Sequence, residues 1–368
     1  MRIYLVGGAV RDMLRGLEPK DLDYVLVGGN ENDLRRQVSG LTRVGQGIPV
    51  FVRGQEQYTI SDHVDIMADL CSRDLTINAL AMDRDKTVIA HPLALDDLKA
   101  QVLRPVSAAN FLADPLRVLR AARFAAALPD FAVHPDLILA MHMVSADLLG
   151  GVAAERVGQE MLKACQAERP GDFLRVLRDG RGLAPWLVEF AAADQIPAGP
   201  PRYHDASVLE HTARVMDGCA GDPVAVWMAL CHDLGKVLTS EAELPRHFGH
   251  EERGEEMAGR LSRRLRLSGR LLSAGRLAAR WHMAGGSYES LKASTRVRLL
   301  LALDKAGVQD AFFRLVAADG GGCHRERARS ELAVLKAVHL PEKHRNLGPK
   351  SAEILLQLRC EALVARGS

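Results

Sequence analysis

The spacing of apolar residues changes near Asn110, and this change restricts the possible folds more than any other feature of the sequence. Up to about residue 105, short β-like runs alternate with turn signals and helical stretches. These runs are IYLVGG, DYVLVGG, PVFV, HVDIM and TVIAHP. From Asn110 onward apolar residues recur at helical spacing, and we expect no further strand. The sequence therefore predicts an α+β region followed by helices only.

The length and composition indicate a soluble protein of two or three domains. The 368 residues are 48% hydrophobic and 26% charged. No apolar run approaches the roughly 20 residues that span a bilayer, and the N-terminus lacks the features of a signal peptide. We therefore expect a cytoplasmic protein without a membrane segment. A Pro- and Gly-rich stretch, residues 196–203, is the best candidate for a linker.

Cysteine and arginine are distributed in ways that bear on chemistry. The six cysteines lie far apart with no CxxC pair, so we expect buried, reduced thiols and no disulfide framework. The net charge is +2, but residues 257–288 contain seven arginines and no acidic residue. Such a stretch fits either a solvated helix face or a surface that contacts nucleic-acid phosphates.

Two acidic residues one position apart indicate a catalytic site. Asp21 and Asp23 precede the apolar run YVLV, and strand alternation places both carboxylates on one face. Paired carboxylates on a largely buried strand need a cation. Mg²⁺ is the natural candidate because it binds carboxylate and phosphate oxygens together. Asp65 could complete a three-carboxylate site, with Glu56 as the competing candidate.

A Gly-Gly turn precedes the acidic pair. Gly7 and Gly8 follow the strand-like IYLV and open a predicted helix that carries Arg11 on its first turn. Backbone amides at such a junction can face a phosphate. By itself the pattern is more often an ordinary tight turn than a phosphate-binding turn.

Four segments occur in a diagnostic order: GGAVRD (7–12), DLD (21–23), SRDLTINALAMD (72–83) and DPLRVLRAARF (114–124). Together they resemble the motifs of class II tRNA nucleotidyltransferases, the CCA-adding enzymes and their poly(A) polymerase relatives. The resemblance implies a polymerase-β-like head in which two metal ions assist transfer of a nucleotide to a primer 3′-hydroxyl. It also implies Mg²⁺ as cofactor and CTP, ATP and tRNA as partners.

The same resemblance implies roles for individual residues. The implied catalytic carboxylates are Asp21 and Asp23, both as Mg²⁺ ligands, and Asp65 is the third catalytic candidate from the residue pattern. The implied nucleotide-binding residues are Gly8, Arg11, Arg73, Asp114, Arg117 and Arg120. Asp114 with the two arginines of the last motif would select the base, because a carboxylate accepts from an amino group whereas arginine donates to ring acceptors.

The chain also departs from the family pattern. Ser72 and Ala113 replace an arginine and a glutamate of the motifs, and HPLALDDL (91–98) keeps Asp97 but not the expected leading Asp and Gly. The segment before Ser72 is shorter than usual and lacks the loop associated with switching from C to A addition. These departures leave three alternatives: a poly(A) polymerase, an enzyme that adds only CC or A, and a non-catalytic tRNA-binding protein.

Six of the thirteen histidines fall between His204 and His282. The order H…HD…H…H…D, with CHDLGK as its most specific part, resembles the HD superfamily of metal-dependent phosphohydrolases. Imidazole and carboxylate suit a divalent ion that activates water, here Ni²⁺ or Mg²⁺. The resemblance implies hydrolysis of 2′,3′-cyclic phosphates, 2′-nucleotides and other phosphate esters, and it leaves the further alternative that this hydrolysis is the main activity. The implied ligands are His211, His232, Asp233, His250, His282 and Asp304.

The two resemblances together predict four regions. Residues 1–105 would form the catalytic head, and 106–200 a helical neck and body that select the nucleotide and bind tRNA. Residues 204–310 would form the HD domain, and 311–368 a helical tail. The sequence leaves open whether the protein is a monomer or a homodimer.

Overall fold

The computed structural model describes residues 1–44, 49–202 and 205–367. The chain folds into two compact units, Met1–Val152 with Asp179–Gly182 and Ala153–Arg178 with Leu183–Ser368. The finer division into four regions stays a prediction. Over the described ranges, no helix combines the length and the apolarity needed to cross a bilayer.

The first unit is built on a seven-stranded mixed sheet with the strand order β3-β4-β5-β2-β1-β6-β7. A further pair, β8 and β9, is parallel. The strands are β1 (Arg2–Val6), β2 (Leu22–Val27), β3 (Thr42–Val44), β4 (Val50–Arg53), β5 (Glu56–Ile60), β6 (Leu80–Met82), β7 (Val88–Ala90), β8 (Val102–Leu103) and β9 (Ala132–Val133). The helices of this unit are α1 (Gly8–Leu14), α2 (Glu31–Gln37), α3 (Ile66–Cys71), α4 (Ala94–Lys99), α5 (Ala108–Ala113), α6 (Arg117–Ala127), α7 (Pro135–His142) and α8 (Ala146–Gly150).

Strand β1 is buried on both faces, which explains its unbroken apolar sequence. Tyr4 and Val6 pack in a cluster with Ile66 and Leu70 of α3, while Leu5 packs on the opposite face with residues of α1. β1 pairs antiparallel with β2, with Leu5 opposite Tyr24. The C-terminal end of β1 therefore lies beside the start of β2, which brings the Gly-Gly turn next to the acidic pair.

The described part of the second unit consists of helices and connecting loops, with an isolated β-bridge between Pro197 and Ser207. Its helices are α9 (Ala154–Cys165), α10 (Gly171–Asp179), α11 (Val208–Gly218), α12 (Pro223–Cys231), α13 (His250–Arg264), α14 (Gly269–Gly286), α15 (Ala293–Ala306), α16 (Gln309–Ala318), α17 (Arg325–Ala337) and α18 (Pro349–Gly367). The predicted α+β class, with a sheet-containing head followed by helices, is confirmed.

Helix α12 is the most buried element of the second unit. Seven of its residues, Ala225 to Cys231, are buried, as expected of a helix that is apolar on every side. Asp222 caps its N-terminus through Val224 N and Ala225 N, and Pro223 occupies the first turn, where its missing N–H costs nothing. The helix ends at His232, so an apolar core element fixes the position of the His-Asp pair.

Two sequence-based predictions about strands are wrong. HVDIM is not a strand: Val64 is 87% exposed, and Asp65 caps α3 by accepting a hydrogen bond from Ala68 N at 2.8 Å. The capping carboxylate favours a helix start over an extended run. One strand also follows Asn110, because β9 pairs with β8. A strand of two residues is too short to show a periodic pattern.

Two other predictions need correction, and the two interpretations of the arginine-rich stretch stay open. The proposed linker lies within the second unit, and its Ala198 is fully buried; its last residue, Tyr203, is outside the described residues. Cys71 and Cys323 are exposed. The arginine-rich stretch is largely neutralised by carboxylates outside it, as in the Arg264–Glu189 and Arg276–Glu255 ion pairs. Further pairs in this stretch are Arg260–Glu256, Arg266–Glu155 and Arg280–Glu252.

Candidate nucleotide and metal sites

The turn between β1 and α1 requires glycine. Gly7 has φ +68°, a conformation that other residues rarely adopt, and a Cβ placed on it would lie 3.1 Å from Arg73 Nη1. Gly8 begins α1. The turn therefore brings the backbone close to the Arg73 guanidinium, and a side chain at position 7 would separate them.

Arg11 is held under this turn. Its side chain is almost buried, forms an ion pair with Asp12 at 2.8 Å, and donates from Nη1 to Asn78 Oδ1 at 2.8 Å. Its backbone N–H donates to Gly7 O. These contacts fix the guanidinium beside the predicted phosphate-binding turn.

Asp21 and Asp23 are both exposed, so the acidic pair marks the open start of β2 and not its buried part. In the parallel pairing of β2 with β5, Asp23 lies opposite Gln57. Its side chain shares a face with Val25 two residues later, and Val25 packs with Val6 and Ile66 beneath α3. Asp23 therefore projects to the face of the sheet that carries α3, and Arg73 follows that helix.

Neither candidate for the third carboxylate is engaged with the pair in the described contacts. Glu56 is opposite Leu22 in the β2–β5 register, so it lies on the other face of the sheet from Asp23. There it forms an ion pair with Arg53 at 2.6 Å, and the hydrogen bond from Arg53 lowers the pKa of Glu56. Asp65 is exposed and caps α3.

Arg73 and Asp74 connect α3 to α6. Arg73 forms an ion pair with Asp69 at 2.9 Å, and its carbonyl accepts from Arg117 Nη1 at 3.2 Å. Asp74 forms an ion pair with Arg120 at 2.6 Å. Burial opposes ionisation of Asp74, but Arg120 and hydrogen bonds from Leu75 N and Asn78 lower its pKa to about 2. The structure thus brings Arg73, Arg117 and Arg120 into one network.

Three members of this network were not predicted as functional. Asp69 orients Arg73, and Asn78 contacts both Arg11 and Asp74. Asn110 donates to the carbonyls of Cys71 and Arg73. Asn78 lies within the motif that begins at Ser72, and this position in the motif could have identified it as a candidate functional residue. Asp114 accepts from Leu116 N at 3.3 Å, just before α6.

In the second unit, four histidines direct Nε2 toward a common centre. His232 Nε2 lies 3.3 Å from His211 Nε2, and His250 Nε2 lies 3.3 Å from His282 Nε2. Nδ1 of His232 is 2.6 Å from Ala229 O and that of His250 is 2.7 Å from His247 O. Because a carbonyl only accepts, each Nδ1 carries the proton, which leaves Nε2 with a lone pair. This is the usual preparation of a metal-binding histidine.

Asp233 lies between the two histidine pairs. One of its oxygens is 3.2 Å from His232 Nε2 and the other is 3.3 Å from His282 Nε2. Both oxygens are buried, and Lys236 Nζ lies 2.7 Å from Oδ2. Burial opposes its ionisation, but the nearby Lys236 ammonium holds the pKa of Asp233 well below its usual value. A buried anion facing imidazole lone pairs fits a divalent cation.

The sixth predicted ligand is wrong. Asp304 lies on α15 and forms an ion pair with Lys336 at 2.6 Å, apart from the histidines. Asp319, which follows α16, takes that position, with Oδ1 3.0 Å from His211 Nε2. The donor groups that could hold an ion are His211, His232 and Asp233, and Asp233, His250 and His282. Sequence reasoning missed Asp319, although it follows an amphipathic helix and precedes three glycines.

Comparisons with known proteins show which families the chain resembles. The HD domain family matches residues 206–306. A multifunctional CCA protein of Alkalilimnicola ehrlichii is 38% identical over 331 residues, covering 83% of this chain and 79% of the relative. The multifunctional CCA protein of Verminephrobacter eiseniae is 35% identical over 378 residues, covering 92% of this chain and 91% of the relative.

Solved structures share the fold. The Bacillus stearothermophilus CCA-adding enzyme in complex with CTP has a TM-score of 0.68 at 23% identity, covering 99% of this chain and 89% of that chain. The Thermotoga maritima CCA-adding enzyme complexed with tRNA has a TM-score of 0.61 at 19% identity, covering 99% and 91%. On the identity and coverage of its relatives, the chain belongs to the family of multifunctional CCA proteins.

Proposed function

We propose that this protein adds CCA to the 3′ end of tRNA from CTP and ATP, without a nucleic-acid template, and that it acts in the cytoplasm. One observation carries the proposal: a continuous set of contacts runs from the Gly7 turn through Arg73 and Asp74 to Arg117 and Arg120. The sequence motifs that contain the turn and these arginines predict that they bind the same nucleotide. A catalytic turn and a base-selecting helix need such a connection to act on one nucleotide.

The proposed roles follow from charge and position. Gly8, Arg11 and Arg73 would hold the triphosphate, because a backbone turn and two guanidiniums suit its charge. Arg117 and Arg120 on the first turns of α6, with Asp114 before it, would select the base. Asp74 fixes the plane of the Arg120 guanidinium through Nε and Nη2, and a fixed plane favours selective donation to ring acceptors.

Asp21 and Asp23 would hold the Mg²⁺ ions required for transfer. Two exposed carboxylates at the start of a strand, beside a glycine turn and two arginines, fit a hard cation that also binds phosphate oxygens. When bound, Mg²⁺ lowers the charge repulsion between the attacking hydroxyl and the phosphate. The part played by the chain is to orient the nucleotide and align its α-phosphate with the primer.

We also propose that the histidine cluster hydrolyses 2′,3′-cyclic phosphates, 2′-nucleotides and other phosphate esters with a divalent ion, Ni²⁺ or Mg²⁺. The supporting observation is the buried carboxylate of Asp233, whose two oxygens lie among the Nε2 atoms of four histidines. An ion there would supply an activated water. His211, His232, His250, His282, Asp233 and Asp319 would hold it.

The decisive experiment measures both activities in the same variants. The first assay uses tRNA that lacks its CCA end with labelled CTP alone, ATP alone and both; the second follows hydrolysis of 2′,3′-cyclic AMP. Asp23→Asn should abolish Mg²⁺-dependent extension and leave hydrolysis intact. Asp233→Asn should do the reverse. Asp85→Asn, at an exposed acidic residue, is the matched control and should change neither.

The same assay separates the alternatives. Long products with ATP alone would indicate a poly(A) polymerase, and products that stop after CC or A would indicate a partial enzyme. A third outcome is suggested by Ser72, which replaces a motif arginine. Its hydroxyl donates to Asp69 O at the end of α3. Binding of tRNA without any incorporation by the wild-type protein would refute the polymerase proposal and favour a degenerate tRNA-binding protein.

A further inference from the structure

A cavity of about 530 Å³ opens beside the histidine cluster. Asp233, His250, His282 and Asp319 form part of its wall, so a molecule in the cavity reaches the proposed hydrolytic centre. Two large apolar side chains, Phe248 and Met283, also line it. They are 67% and 52% exposed, in contrast to the buried aromatic residues of the core.

The backbone around Phe248 is rigidly held although its side chain is exposed. His247 Nε2 donates to Pro197 O at 2.9 Å, and His247 Nδ1 accepts from Thr239 Oγ1 at 2.8 Å. His247 is therefore a support and not a ligand of the cluster. Gly249 has φ +67° and turns the chain into α13 at His250. Phe248 is thus fixed between a supporting histidine and a cluster histidine.

Met283 lies next to the second histidine of this pair, within α14. It follows His282 directly, and the Nε2 atoms of His282 and His250 are 3.3 Å apart. The two exposed apolar side chains therefore flank the same pair of histidines. A phosphate ester bound at this pair would place its organic group against Phe248 and Met283.

We propose that the cavity binds nucleoside 2′-phosphates and 2′,3′-cyclic phosphates with the base against Phe248 and Met283. A flat base matches an exposed ring and a polarisable thioether, and every base offers such a face. The site therefore prefers nucleoside esters over phosphate compounds without a base, and it tolerates different bases. This inference rests on the hydrolytic activity proposed above.

The test compares wild-type protein with Phe248→Ala, Phe248→Tyr and the control Leu139→Ala, which removes a 61% exposed side chain in the first unit. Hydrolysis of 2′,3′-cyclic AMP is measured with adenosine 2′-monophosphate added as a competing substrate, whose apparent Ki equals its own KM, or with inorganic phosphate added as a product inhibitor. For Phe248→Ala, KM for the cyclic nucleotide and Ki for the monophosphate should each rise at least about fivefold, since stacking contributes measurably to base binding. The kcat value and Ki for phosphate should stay within about twofold. Phe248→Tyr and Leu139→Ala should behave as the wild type.

Two results would overturn the proposal: an equal rise in Ki for phosphate and for the monophosphate, which indicates a structural role, and no change in either. Absence of hydrolysis by the wild type would instead refute the proposed activity. In that case calorimetric titration of Mn²⁺-loaded protein with adenosine 2′-monophosphate still decides the base contact. Equal affinity of wild type and Phe248→Ala would refute it, and weaker binding by the variant alone would support it.

Discussion

Asp74 carries a buried negative charge on which the first site depends. It is 4% exposed and paired with Arg120 at 2.6 Å. Its pKa is lowered from 3.8 to about 2, against the effect of burial. A carboxyl whose pKa is lower in the folded state stabilises the fold above its unfolded pKa, and this contribution is lost as pH falls through the folded pKa. For Asp74 the loss lies between about pH 4 and pH 2.

We therefore expect Asp74→Asn to lower the free energy of unfolding at pH 7 by about 2 kcal/mol, because Arg120 loses its partner in a partly buried position. Denaturant unfolding at pH 7, 4 and 3 measures the difference in the free energy of unfolding between the variant and the wild type. This difference should become smaller as pH falls below 4. Asp85→Asn should cost less than about 0.5 kcal/mol throughout. A difference in unfolding free energy that does not change with pH would show that the charge of Asp74 does not stabilise the fold.

The sequence predicted the charged members of this site better than the polar ones. Arg73, Arg117 and Arg120 belong to motifs, and the structure links them through Asp74 and the Arg73 carbonyl. Asn110 could not be found in this way, because it acts by donating to the carbonyls of Cys71 and Arg73 nearly forty residues earlier. Such a contact depends on the tertiary fold and leaves no local pattern.

At the scale of elements, the site in the second unit depends on one close approach. A Cβ at Gly235 would lie 1.9 Å from His250 O and 2.6 Å from Gly254 N. The short helix Leu234–Leu238 therefore packs directly on α13. Any side chain at position 235 would push α13, and with it His250, away from Asp233.

We expect Gly235→Ala to destabilise the second unit by about 1–3 kcal/mol, the usual cost of overpacking, and to reduce hydrolysis of 2′,3′-cyclic AMP more than tRNA extension. Thermal unfolding and the two activity assays measure these effects. Gly269→Ala is the matched control, since a Cβ there meets nothing within 4 Å. It should be neutral or stabilise by up to about 1 kcal/mol. Equal effects of the two substitutions would contradict the packing argument.

Element type followed from sequence where the elements were long. The apolar runs that became β1 and β2 were predicted as strands, but the structure makes HVDIM the start of α3, capped by Asp65. The Asp65 side chain starts a helix here by capping its N-terminus, although the five residues HVDIM have a strand-like apolar pattern. Short strands such as β8 and β9 exist only because they pair with each other, and periodicity cannot reveal pairing.

At the scale of the whole molecule, the sequence identified the second site but not all of its ligands. The HD pattern required a final aspartate, and Asp304 and Asp319 both follow His282 in the chain. Asp304 and Asp319 each lie at or near the end of a helix. The spacing of apolar residues does not show which of these helix ends contacts α11 and α12. Only the packing of α16 against these helices brings Asp319 within 3.0 Å of His211.

The choice between these aspartates gives a test that does not depend on activity. A cation that binds only the folded protein stabilises it by about 2.7 kcal/mol at a concentration 100-fold above Kd. Adding Mn²⁺ or Ni²⁺ to chelator-stripped protein should therefore raise Tm by roughly 5–10 °C for a unit of this size, as measured by calorimetry. Asp319→Asn should weaken this response, because it removes a carboxylate that faces His211. Asp304→Asn should leave it intact, because Asp304 pairs with Lys336 at a partly exposed position. The opposite ranking of the two variants would return Asp304 to the ligand set and remove Asp319 from it.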